Sequence, residues 1–221
     1  MVLTTEATIK MATENNIAEN VESTIAADGT TKSGSLKGET RCETFLKKAL
    51  GHSYIRFVRE KMHDLGCDTS KEENFTFKCQ PCGTNKVIGY FTAAEDGSKG
   101  VIICEDNVEE YKLTAEHVER TVLHELVHAY DTCRAKVDCN DCLHLACTEI
   151  RAALLSGDCD MFSEWKRRNF GFKGQGMACV KRRAELSVAG HPKCAGDKAK
   201  EAVEAVFDLC YSDTMPFEQK F

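Results

Sequence analysis

The run His124-Glu125-Leu126-Val127-His128 joins residue types and a spacing that can do chemistry. On an α-helix, residues four apart differ by about 40° in azimuth and roughly 6 Å in height, so two imidazoles point the same way and can share one metal ion. Glu125 sits about 100° round from His124, placed to flank such a metal and take a proton from water. A zinc ion there would bring the pKa of a water to about 7 and polarise a carbonyl, both of which peptide hydrolysis needs. The pentapeptide also arises by chance on solvated helices. Its neighbours Thr121, Val122, Leu123, Leu126, Val127, Ala129 and Tyr130 are all uncharged, however, so the helix is expected to be buried. Two histidines and a glutamate inside it would be costly without a function.

A catalytic zinc takes a third protein ligand, and Asp131, His144 and Glu149 follow the motif. Asp131 has a short side chain one turn on, which suits it to holding an imidazole from behind. Glu149 lies on the next expected helix, the arrangement in which a following glutamate completes a two-histidine site, and is the preferred ligand. His144 is five residues before Glu149, about 140° round a helix, so the two cannot both ligate from an unbroken helix. His144 is expected near the site, with a capping or interhelix hydrogen bond favoured over ligation.

These residues need elements to hold them. Thr114 is a plausible N-cap for a helix through Asp131, and another helix runs from near Asp141 to Gly157. Upstream, Arg41 to Leu65 reads as one long helix or two short ones broken at Gly51 to Ser53. Asn74–Cys79, Val87–Thr92 and Val101–Cys104 are short, β-branched or aromatic runs between Gly, Asp and Asn clusters, as in a small antiparallel sheet. Val101–Cys104 is the candidate edge for an added substrate strand. Asp197 to Cys210 reads as an amphipathic helix. The expected fold is α+β and zincin-like, a small antiparallel sheet packed on helices with the His-Glu-x-x-His helix central.

Residues 1–39 hold few large apolar side chains and are expected to be a disordered tail, with residues 40–221 forming one zinc metallopeptidase domain. The tail has no apolar run of a secretory signal and no arginine in its first thirty residues, so neither that nor a usual mitochondrial presequence is expected. The net charge of -6 argues against nucleic acid as a partner. No apolar run is long enough to span a bilayer. Thirteen cysteines along the chain suggest an oxidising compartment, several disulfides and, the number being odd, a free thiol. The alternative is a set of reduced, buried cysteines. Cys79-x-x-Cys82 and Cys139-x-x-Cys142 have the spacing of a structural zinc site or a redox dithiol, with disulfides preferred. Lys166-Arg167-Arg168 and Lys181-Arg182-Arg183 read as solvated faces, with contact to an anionic lipid surface the alternative.

The string from His124 to Asp131, Cys133-Arg134, His144 to Ala152 and Leu155 to Cys159 resembles a family of mitochondrial inner-membrane metallopeptidases that assist ATP synthase assembly. The likeness continues through Cys179 to Ala184, Pro192 to Cys194 and Val206 to Phe217, and upstream through Cys79-x-x-Cys82 and Ile103-Cys104-x-x-Asn107. The resemblance implies a peptidase peripherally attached to the intermembrane-space side of the inner membrane. Its implied substrate is the presequence of a membrane-embedded ATP synthase subunit, whose assembly it also assists without proteolysis. By position, His124 and His128 become the zinc ligands and Glu125 the catalytic residue, while Glu149 rests on its spacing. Import by oxidative trapping of cysteines would account for the cysteine count. The competing function is a non-proteolytic assembly chaperone in which the zinc site is dispensable.

Overall fold

The computed structural model describes residues 9–12, 38–94, 97–159 and 175–218, which hold four strands and seven helices. In chain order these are β1 (Ile9–Ala12), α1 (Arg41–Leu50), α2 (Ser53–Asp64), β2 (Phe75–Gln80), β3 (Gly89–Ala93), β4 (Lys99–Cys104), α3 (Glu105–Glu110), α4 (Ala115–Arg134), α5 (Cys142–Leu155), α6 (Gln175–Ala189) and α7 (Asp197–Ser212).

The α+β expectation holds. Arg41 to Leu65 forms two helices: α1 starts on a Thr40–Glu43 capping box and ends at Gly51. Helix α4 begins at Thr114, whose hydroxyl and backbone N–H are both satisfied within the first turn, with His117 as reciprocal partner. Every residue from Thr121 to Asp131 is buried, so α4 runs through the core instead of over it. Helices α1 and α2 and strands β3 and β4 pack on it from one part of the chain and α5 from the other. Helix α6 carries Lys181-Arg182-Arg183, read from sequence as a solvated face, but Arg183 turns inward to pair with Asp158. The basic triplet at 166–168 lies outside the described residues.

The sheet is mixed, in the order β1-β3-β4-β2. β3 pairs antiparallel with β1 and β4, but β2 pairs parallel with β4, Phe77 opposite Val101. The all-antiparallel expectation fails here because residues 81–88 do not close a hairpin between β2 and β3. That link is tied to α3. The Asp106 carboxylate accepts from the Cys82 and Gly83 backbone N–H groups at 2.8–3.0 Å, and Asn107 Nδ2 donates to the Asn85 and Val87 carbonyls. The Cys82–Cys104 disulfide closes the same corner. Val101–Cys104 is therefore interior, not an edge, since β4 has a neighbour on each side. Residues 9–12, within the stretch expected to be disordered, form an edge strand, since backbone pairing needs no run of large apolar side chains.

Six disulfides join the described residues, each worth roughly 2–4 kcal/mol. Cys42–Cys79 ties α1 to β2, and Cys67–Cys133 ties the turn after α2 to the last turn of α4. Cys142–Cys194 and Cys147–Cys210 clamp α5 to the α6–α7 loop and to α7, and Cys159–Cys179 holds the loop after α5 to α6. Neither Cys-x-x-Cys pair is a dithiol: Cys79 and Cys82 bond to different partners, and Cys139 is the free thiol, buried, while Cys142 is bridged. Burial pushes the Cys139 thiol up to about 12, which removes it as a nucleophile at neutral pH.

Candidate metal centre

His124 and His128 project from successive turns of α4 toward Glu149 on α5. His124 Nε2 stands 3.5 Å from Glu149 Oε2, and His128 Nε2 stands 3.6 Å from Oε1. One ligand atom from each of the three lies within 4.8 Å of the others. All three side chains are no more than 2% exposed. His124 Nε2, His128 Nε2 and Glu149 Oε2 are buried without a hydrogen-bond partner, as is His124 Nδ1 on the far side of its ring. Groups left this way cost about 1–3 kcal/mol each. A tetrahedral ion with bonds of about 2.0–2.1 Å separates its donor atoms by roughly 3.4 Å, close to the two distances from Glu149 to the imidazoles. The residues fit a divalent metal with two nitrogens and a carboxylate.

The two imidazoles sit in different fields. Burial opposes the charge on His124, but Asp158, Glu149 and Glu125 outweigh it and hold that group up at about 9. Burial pushes His128 down to about 4, against the pull of Glu149 and with the charge of His124 adding to the fall. Burial also acts to raise Glu149, yet the two histidines and the Ser187 hydroxyl of α6 leave its carboxyl below the ordinary value.

Each imidazole is also met from behind. His128 Nδ1 is 2.9 Å from Thr148 Oγ1, and the Thr148 hydroxyl donates to Asp131 Oδ2 at 3.0 Å. With that hydroxyl proton committed, the ring donates from Nδ1 and has its Nε2 lone pair available to a metal. Asp131 thus reaches the imidazole through Thr148 and not directly. Its own charge is met by Arg151, wholly buried, whose Nε lies 3.0 Å from both carboxylate oxygens. The Arg151 guanidinium also pairs with Asp213 and donates to the Asp213 and Met215 carbonyls, binding the C-terminal turn to the site. His124 Nδ1 faces Asp158 Oδ2 at 3.6 Å. Glu125 is fully buried, and its Oε2 accepts from the Phe91 backbone N–H of β3 at 2.8 Å.

His144 does not join this group. It lies exposed on the first turn of α5, where Nδ1 accepts from the Asp138 backbone N–H at 3.3 Å. Five residues from Glu149, it faces solvent when Glu149 faces the core. The sequence reading missed Thr148, Arg151, Asp158 and the Phe91 backbone. Thr148 adjoins Glu149 and Asp158 lies in the run matched to the family, but nothing local marks either as facing an imidazole.

A family model described as the peptidase M76 family matches residues 40–218. The chain belongs to the peptidase M76 family. It is a metallopeptidase on that ground, and the site agrees with it. Among curated proteins, it is 48% identical over 200 residues to the mitochondrial inner membrane protease ATP23 of Mycosarcoma maydis, covering 81% of this chain and 90% of that protein. It is 40% identical to the ATP23 homolog of Xenopus laevis, over 80% of this chain and 72% of that one. The ATP23 protease of Schizosaccharomyces pombe is 34% identical, over 83% and 94%. No solved structure matches the M76 chain.

Proposed function

We propose that this M76 peptidase is a zinc-dependent endopeptidase of the mitochondrial intermembrane space, attached peripherally to the inner membrane. Its substrate on this reading is the presequence of a membrane-embedded ATP synthase subunit, whose assembly it also assists. The observation that carries the chemistry is the convergence of His124 Nε2, His128 Nε2 and Glu149 in a buried site without hydrogen-bond partners for either nitrogen. The location is supported by relatives named mitochondrial inner membrane proteases and by six disulfides, which suit an oxidising space. No helix among the described residues is long and apolar enough to cross a membrane.

In this reading His124, His128 and Glu149 hold zinc, which when bound supplies a Lewis acid that polarises the scissile carbonyl and acidifies water. Glu125 takes the proton from the attacking water and returns it to the leaving nitrogen. The Phe91 N–H fixes the Glu125 carboxylate against β3, so the proton carrier stays in register with the sheet. Thr148 and Asp131 hold His128 in the tautomer that leaves Nε2 for the metal.

Glu125→Gln tests the chemistry: cleavage of a presequence peptide should fall by about 10²–10⁴-fold with zinc content and fold intact. Cleavage undiminished in that variant would end the reading. The full burial of Glu125 favours a second role that needs no peptide at the site, assembly without proteolysis. Cells lacking the protein but given Glu125→Gln regain ATP synthase assembly if that role is sufficient.

A further inference from the structure

Two histidines of one site are backed in unlike ways. His128 leans on a hydroxyl that relays to a carboxylate, whereas the side of His124 turned away from Glu149 faces a carboxylate at ion-pair distance, without a hydrogen bond. Asp158 is 6% exposed, and its Oδ2 lies 3.6 Å from His124 Nδ1 and 2.8 Å from Arg183 Nη2. The geometry points to Asp158 as the positioning residue of His124, a carboxylate anchored by Arg183 whose charge, within ion-pair distance of Nδ1, favours a proton there and turns Nε2 toward the metal. This rests on the metal-centre reading given above.

The chain around Asp158 is built to keep it in place. Helix α5 ends at Leu155, Gly157 takes a positive φ of 78°, and the Asp158 N–H donates to Ser156 Oγ at 3.3 Å. The tight turn brings the carboxylate back over α4. The next residue, Cys159, is bridged to Cys179 on α6, and Arg183 follows Cys179 by four residues on that helix. A disulfide and an ion pair from successive turns of α6 thus fix the loop by both its backbone and its charge. Arg183 also offsets the cost of keeping a carboxylate among buried groups.

A carboxylate behind a ligating imidazole sets which nitrogen carries the proton and makes the other a better donor to the metal. Asp158 is not itself a fourth ligand, because it lies on the Nδ1 side while the shared donors lie around Nε2. A purely structural role for the Asp158–Arg183 pair would make its loss felt in the fold, with zinc affinity of the folded protein unmoved.

The test uses the full-length oxidised protein and Asp158→Asn, which keeps the shape and removes the charge. Zinc affinity, read by competition with a chromogenic chelator, should weaken by about 10–100-fold. For a presequence peptide, kcat should fall while KM stays within about twofold, as expected for a loss that bears on the metal and not on substrate binding. A variant that unfolds without zinc and is restored by excess zinc supports the proposal. Zinc affinity within twofold of the parent overturns it, as does unfolding that zinc does not reverse, which makes the pair structural. A parent that binds zinc but cleaves no peptide sinks the peptidase reading alone, and the zinc comparison still decides Asp158.

Discussion

The backbone N–H of Phe91 donates to Oε2 of Glu125 at 2.8 Å, joining the middle of β3 to the centre of α4 inside the core. The bond ties a strand N–H to a helix side chain, so the sheet and Glu125 share one register. Displacing β3 relative to α4 must therefore move Glu125 or break the bond.

At Gly89, two residues before Phe91, β3 lies hard against the helix. A Cβ there would stand 2.8 Å from the Ile102 carbonyl oxygen, 2.8 Å from Thr121 Cγ2 and 3.0 Å from Ile103 Cδ1. Gly89→Ala is expected to cost about 1–3 kcal/mol of stability, seen as a lower melting temperature. It should also lower kcat by more than zinc content, because the strand carrying Phe91 shifts. Thr121→Ser in the same protein should recover only part of the loss, since the backbone carbonyl remains in the way. An unchanged melting curve would mean that β3 can slide without cost.

Thr148 gives a second handle on the same site. Thr148→Val keeps the branched shape but removes both the acceptor for His128 Nδ1 and the donor to Asp131 Oδ2. Zinc affinity should drop by about 10–100-fold, as for other groups that orient a ligand. Stability should fall by about 1–3 kcal/mol from the buried groups left unpaired. Thr148→Ser restores the hydroxyl and should bring back most of the affinity. Equal zinc affinity in the valine and serine variants would remove Thr148 from the account.

The motif helix was the most legible part of the molecule in the sequence, because its spacing and its uncharged neighbours agree with burial in a core. The short strands were legible as strands but not in their pairing. What decides that β2 runs parallel to β4 is a set of bonds from Asp106 and Asn107 to a loop twenty residues away, which leaves no periodic trace. Helix α6 stayed hidden behind its glycines and charges, although Arg183 turns inward to Asp158. The cysteine count foretold a free thiol, and only the fold identifies it as Cys139. Asp131 was expected to hold an imidazole from behind; between it and His128 stands Thr148, which comes from another helix.

The opposite fields on the two histidines give the metal-free protein a characteristic pH response. His124 has its folded pKa raised from 6.5 to about 9, so its charge stabilises the fold fully below 6.5, and that contribution is lost as pH rises toward 9. His128 has its folded pKa depressed from 6.5 to about 4, so its contribution is present above 6.5 and is lost as pH falls toward 4. From these two groups the metal-free melting temperature should peak near pH 6.5, and zinc should flatten the alkaline side, because a ligated His124 no longer carries the proton. Zinc must also displace that proton to reach Nε2. Calorimetry at pH 6, where a zinc-bound water still keeps its proton, in two buffers of different ionisation enthalpy should therefore show about one proton released per zinc. Apparent affinity should improve by about tenfold per pH unit between about pH 5 and 7, and more steeply above 7 where the bound water also ionises, until His124 titrates near 9. Zinc binding without proton release at pH 6 would show that His124 is already neutral, and that Asp158 and Glu149 do not hold a charge between them.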